Sequence, residues 1–198
     1  MVAPSDLLAA LPMSGTAYRI GAGGADHIPI PADGLAVPGL DGVRLLRGME
    51  ALDFRDCTHG QAVALVDRIA PWATVYLCPG WERHDGLRTG PLAWAGHAWA
   101  GEGTAIINSG RRGPLLLGTL LHELWHLIEN RLPMSDRVGL SVAMLEGRGL
   151  AWQGNYNSSS REILARAFSA YASAKVLEGF DVRGVDIFDS VLEGGMAA

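Results

Sequence analysis

With 198 residues, 48% of them hydrophobic and 19% charged, the chain is long enough for one domain with a sizeable core and short for two. A formal net charge of -5 argues against nucleic acid as the main partner. The two cysteines, Cys57 and Cys78, lie too far apart for a C-x-x-C metal or redox pair, so two buried thiols in a reducing compartment are the expectation, ahead of a disulfide.

The N-terminal stretch MVAPSDLLAALPMSG has no basic region before its apolar segment, which argues against a secretory signal. The longest apolar run, around Leu115 to Ile128, is broken by His122, Glu123 and His126, too short and too polar to span a bilayer. Cytoplasmic residence without a membrane partner is therefore expected. The 26 glycines exceed the usual share of about 7% and point to many turns between short elements.

Residues 1–55 read as an irregular lead-in to a single domain spanning 1–198. Within it Tyr18-Arg19-Ile20 and His27-Ile28-Pro29-Ile30 look extended, and Pro29, Pro31 and Pro38 limit any sheet role to an edge. Gly21-Ala22-Gly23-Gly24 lacks the following helix of a phosphate cradle and reads as a turn. Thr58 is placed to cap a helix over His59 to Ala70, with Val63, Leu65, Val66 and Ile69 along one stripe and Pro71 closing it. Val75 to Cys78 reads as a short buried strand ended by Pro79-Gly80. Trp81 to Gly103 reads as a long irregular excursion, and Thr104 to Asn108 as a second strand.

Pro114 to Arg131, PLLLGTLLHELWHLIENR, is the most informative stretch. Gly113 and Pro114 mark its entry as a helix and Pro133 its exit. Its H-E-x-x-H motif sets His122 and His126 one turn apart on one face, where two imidazoles can grip a single zinc ion. Glu123 stands beside them, able to take a proton from a water on that metal. Seven leucines and isoleucines cover most of the remaining circumference, and a buried helix carrying these polar groups is costly unless something pairs them. Histidines satisfied by core neighbours are the bland alternative.

Beyond Pro133, Asp136 can cap a helix from Arg137 to roughly Gly149, with Val138, Val142 and Leu145 inward. A polar loop, WQGNYNSSS, precedes a last long helix from Arg161 to about Glu178, capped by Ser160 and carrying Ile163, Leu164, Ala167, Phe168, Tyr171 and Val176. The tail from Asp189 onward reads as loose. Strands interleaved with helices and ending in a helical pair make the fold class α+β, with a small mixed or antiparallel sheet.

A catalytic zinc needs a third protein ligand. The extension H-E-x-x-H-x-x-G-x-x-H fails, because those positions hold Glu129 and Leu132. Glu129 is awkwardly offset from His122, Asp136 is better explained as a cap, and Glu146 stays open. Glu162, in the first turn of the last helix, is favoured by the macrodipole, and Ala165 and Ala167 allow close helix packing. A glutamate facing water fits that position equally well, and spacing does not separate the two.

The segment NYNSSSREILARAFSAY, together with LLHELWHLIENR upstream, resembles zincin-like metallopeptidase domains of the large polyvalent proteins of phages and conjugative elements. These are similar to gluzincins, with two ligands from H-E-x-x-H and a glutamate opening a downstream helix of E-x-x-A-R-A-F-x-A-Y character. The resemblance implies His122, His126 and Glu162 as metal ligands, Glu123 as general base, Zn2+ as cofactor, a minimal zincin-like fold, and a peptide or protein substrate. It covers residues 104–175 and leaves the first hundred unmatched. Where many gluzincins place an aspartate four residues after the glutamate, this chain has Arg166, so the support of the ligands is unassigned. In the zincin plan an edge strand, here Thr104 to Asn108, runs above the cleft and pairs with an extended peptide.

Metal-assisted peptide hydrolysis is the function this implies, with a non-proteolytic zinc amide or ester hydrolase and an inactive zincin scaffold used for binding as alternatives. Tyr156, His97, Tyr171 and Arg166 are the candidates for oxyanion stabilisation, and the sequence does not rank them. Tyr156, in the loop just before Glu162, fits a cleft residue and a rim or packing tyrosine equally well, and His97 in WAGHAWAGEG reads more readily as a solvated loop residue. Trp81, Trp94 and Trp99 can wall a groove, although aromatic residues more often sit in a core. Oligomeric state has no signal here.

Overall fold

A computed structural model describes residues 13–22, 24–49, 57–84, 88–89, 96–108, 116–145, 160–175 and 186–193. The fold is α+β. A five-stranded mixed sheet runs β10 (Gly96–Trp99), β11 (Thr104–Asn108), β7 (Thr74–Cys78), β2 (Thr16–Gly21), β3 (Gly24–Pro29). Strands β11 and β7 are parallel, with Ile106 opposite Tyr76, and every other pairing in the sheet is antiparallel.

Side-chain alternation along the central strands separates two cores. Ile20, Val75, Leu77, Ala105 and Ile107 face the helices, whereas Ala17, Tyr76, Cys78 and Ile106 face the opposite way. On that second side a four-stranded sheet, β4 (Leu35–Ala36), β5 (Arg44–Leu46), β8 (Gly80–Glu82) and β9 (Arg88–Thr89), closes over Val37, Leu45 and the fully buried Trp81. A short pair, β1 (Met13–Ser14) with β6 (Gly48–Met49), completes the β structure of the described residues.

Two strand expectations are corrected. Residues 13–49 are not an irregular lead-in: they supply six strands, and β2 lies inside the main sheet with β7 and β3 as neighbours. Proline placement holds at β3, which ends at Pro29 and forms one edge. Thr104–Asn108 is not the edge strand either. All five of its residues are buried, as befits a strand covered on both faces, and the edge role falls to β10 from within the presumed excursion.

Thr58 caps α1 (His59–Ile69) in both directions. Its hydroxyl accepts from the Gln61 N–H at 3.2 Å, and its own N–H donates to Gln61 Oε1 at 2.8 Å, closing a capping box. The motif helix, α2 (Leu116–Glu129), buries Leu116, Leu117, Leu120, Leu121, Leu124 and Trp125 against the sheet and α4 (Ser160–Ser173). Trp125 meets Phe168 at 4.8 Å and Phe188 at 5.0 Å between ring centroids, forming an aromatic cluster at the centre of the helical layer.

Two helical expectations also change. Helix α3 spans Met134–Leu145, starting early enough that Asp136 sits in its first turn and not at the cap. Met134, Val138 and Val142, one turn apart, are exposed, Met134 at 67%, while Leu140 turns inward. Arg137 Nε donates to Leu132 O at 3.1 Å at the start of the helix. The supposed loose tail contains α5 (Asp186–Leu192), whose Phe188 and Val191 are fully buried. Asp189 ties it to α4 by accepting from the Tyr171 hydroxyl at 2.7 Å and pairing with Lys175.

Cys57 and Cys78 are buried thiols with no disulfide between them. Burial pushes the Cys78 thiol up to about 12, and its Sγ donates to Gly80 O at 3.2 Å. Neither is a ready nucleophile. A disulfide-exchange reagent at pH 8 is expected to label neither thiol in the folded chain and both in denaturant; rapid labelling of the native protein would contradict this packing. Among the described residues no helix is long and apolar enough to cross a membrane.

Candidate metal centre

The i, i+4 spacing on α2 brings His122 and His126 together on the face turned towards the first turn of α4, with their rings at 4.9 Å and nearly perpendicular. The two Nε2 atoms lie 3.2 Å apart. Glu162 reaches down from α4 and gives one oxygen to each: Oε2 is 3.3 Å from His122 Nε2 and Oε1 is 3.2 Å from His126 Nε2. Among the described residues these three form the one group of His, Cys, Asp or Glu side chains able to hold a metal ion.

At these separations either each imidazole donates an Nε2–H to Glu162 or the three groups share a cation. Burial holds both imidazoles below the usual histidine range, so protonation is a poor answer. A metal ion is a good one, since neutral imidazoles are the metal-binding form. The 3.2 Å between the two Nε2 atoms also matches the edge of a tetrahedron whose metal–ligand bonds are about 2.0 Å, the length expected for zinc with nitrogen donors, and each Nε2 has one Glu162 oxygen within 3.3 Å. The residues fit the ion.

Glu123 projects from the same helix towards β10 and is only 7% exposed. Burial, with a smaller contribution from the Glu162 charge, pushes its carboxyl up to about 8 in the metal-free protein. A dication held by the three neighbouring donors would favour the carboxylate instead. The backbone of β10 lies directly over it. A Cβ added at Gly96 would sit 2.8 Å from Glu123 Cγ and 3.0 Å from its Oε1, with Ile106 O at 3.1 Å. Only a glycine leaves room for this crossing, and nothing local in the sequence marks it.

Gly96→Ala is expected to cost about 1–3 kcal/mol by overpacking, read from chemical denaturation, because the neighbours include sheet backbone that cannot yield. Unchanged stability would mean that β10 does not cross here.

The remaining candidates are distributed as follows. Glu129 is engaged by Arg161 at 3.0 Å, and Asp136 accepts from the Ser135 hydroxyl at 3.2 Å, so neither joins the donor set. Tyr171 donates to Asp189 and anchors α5. Arg166 is exposed on α4, and its charge contributes to holding His122 low. His97 is on the edge strand and not in a solvated loop; burial holds it below its usual range, and it lies within electrostatic reach of His126 and Glu162. Trp81 belongs to the second core, with Trp99 edge-on to it at 5.5 Å. Tyr156, Glu146 and Trp94 lie outside the described residues, as does the whole WQGNYNSSS loop before Ser160. The Ser160 side chain, expected as a cap, also falls outside them.

No protein-family model, curated protein or solved structure matches the chain.

Proposed function

We propose that this chain is a zinc-dependent hydrolase of the gluzincin type that cleaves peptide bonds. The observation that carries the reading is the convergence of His122 Nε2, His126 Nε2 and the two Glu162 oxygens within 3.2–3.3 Å, beside a buried Glu123 on the same helix. Two imidazoles and one carboxylate suit zinc better than the hard cations magnesium and calcium, which take oxygen donors. When bound, zinc supplies a Lewis acid that brings the pKa of water towards about 7 and polarises a carbonyl oxygen.

His122, His126 and Glu162 would hold that ion. Glu123 takes the proton from the attacking water and later hands it to the leaving amine. Its burial under β10 keeps bulk water away from the transferred proton. An extended peptide lies along β10, which among the described residues is paired to β11 on one side only. Strand addition of this kind holds a backbone without reading its side chains.

Zinc content and cleavage of an unfolded protein, followed by mass spectrometry, test the reading. New peptide termini that disappear with chelator and return with zinc are the expected result. Turnover of small acyl esters or amides alone would replace the peptidase by another zinc hydrolase, and bound zinc without any turnover would leave a binding scaffold.

A further inference from the structure

Glu129 is 7% exposed on α2 and lies three residues past His126, yet it is not one of the donors. Its Oε2 accepts from Arg161 Nε at 3.0 Å. Arg161 immediately precedes Glu162 in the first turn of α4, so one ion pair joins the turn that carries the carboxylate to the helix end that carries the imidazoles. A second tie lies towards the other end of the contact, where Ser169 Oγ donates to Gly118 O at 2.7 Å. Ala165, between the two ties, is fully buried and lets the helices approach. The helices run antiparallel, and two ties set both the axial position and the rotation of α4 against α2. A slip of one residue would move Glu162 by about 1.5 Å and turn it by about 100°. Its carboxylate would then miss both imidazoles.

We infer that Glu129 and Arg161 are positioning residues that seat Glu162 on the two histidines, an inference that rests on the metal-centre reading. A buried carboxylate is costly to desolvate, and a leucine would serve packing at lower cost. What the pair adds is direction: the residue next to Glu162 in the chain is held by its guanidinium to the helix that carries the imidazoles. Arg161 touches neither metal nor substrate and acts through Glu162.

Zinc affinity of the full chain, measured by competition with a chromophoric chelator, tests this, with the visible absorption of the Co2+ form as a second readout. Arg161→Met and Glu129→Gln are each expected to weaken zinc binding about tenfold. The double variant should be no more than about threefold worse than the weaker single one, since both act through one contact. Arg161→Lys, which keeps the charge, should stay within about threefold of wild type. The cobalt spectrum of Arg161→Met should lose intensity as the carboxylate leaves the coordination sphere. The Arg161 side chain is 52% exposed, so its replacement leaves the core intact, and thermal melting confirms that the variant is folded. Wild-type affinity in a folded Arg161→Met, or losses that multiply in the double variant, would overturn the clamp alone. A wild-type chain that binds neither zinc nor cobalt would overturn the metal centre and the clamp together.

Discussion

Glu123→Gln is expected to lower turnover by about 10²- to 10⁴-fold while zinc content stays at the wild-type level. Glutamine keeps the shape of the side chain under β10 but cannot accept the proton of the attacking water. Glu123 is not among the donors, so the ion should be unaffected. The variant carries a second signature in the metal-stripped protein. There the folded carboxyl titrates at about 8, well above its ordinary value near 4.5. A raised acid pKa means that the folded state holds the proton more tightly than the unfolded chain. Its contribution to stability is therefore complete below about pH 4.5 and is lost progressively as pH rises through 8. Wild-type protein treated with chelator should melt at a lower temperature at pH 9 than at pH 6, and Glu123→Gln should flatten that difference. Wild-type turnover in the glutamine variant would remove Glu123 from the chemistry, whatever else the site does.

His126→Ala should abolish stoichiometric zinc binding, and Glu162→Ala should weaken it strongly. Each removes one corner of the three-donor set, and the remaining two donors cannot balance the desolvation of the ion. Binding to the folded state alone stabilises it by about 2.7 kcal/mol when free zinc is a hundred times its dissociation constant. For a chain of this size that corresponds to a rise in melting temperature of roughly 5–10 °C. Thermal scans with zinc and with chelator read this directly. The wild-type chain should show the rise, and His126→Ala should show none. A folded Glu162→Ala with normal zinc affinity would break the assignment of the third ligand and, with it, the peptidase proposal.

Local chemistry in the sequence determined the helices that matter most. The Thr58–Gln61 capping box needs residues three apart, and the imidazole pair needs residues four apart, so both are written in adjacent letters. The place of Glu162 in a first helical turn was readable for the same reason. Its meeting with His122 and His126 was not, because it depends on how α4 lies against α2, a matter of packing between segments 36 positions apart at the nearest. Tertiary contacts alone decided that β10, with its Gly and Trp content, is the sheet edge over Glu123, and that Gly96 must lack a side chain there. They also turned the apolar stripe of α3 outward and drew Phe188 into the aromatic cluster. Glu129 shows the difference most clearly: its spacing left it an awkwardly offset candidate, and only the fold pairs it with Arg161, 32 residues away. Periodicity encodes which face of an element is apolar, whereas what that face meets is set by the whole chain's competition for burial.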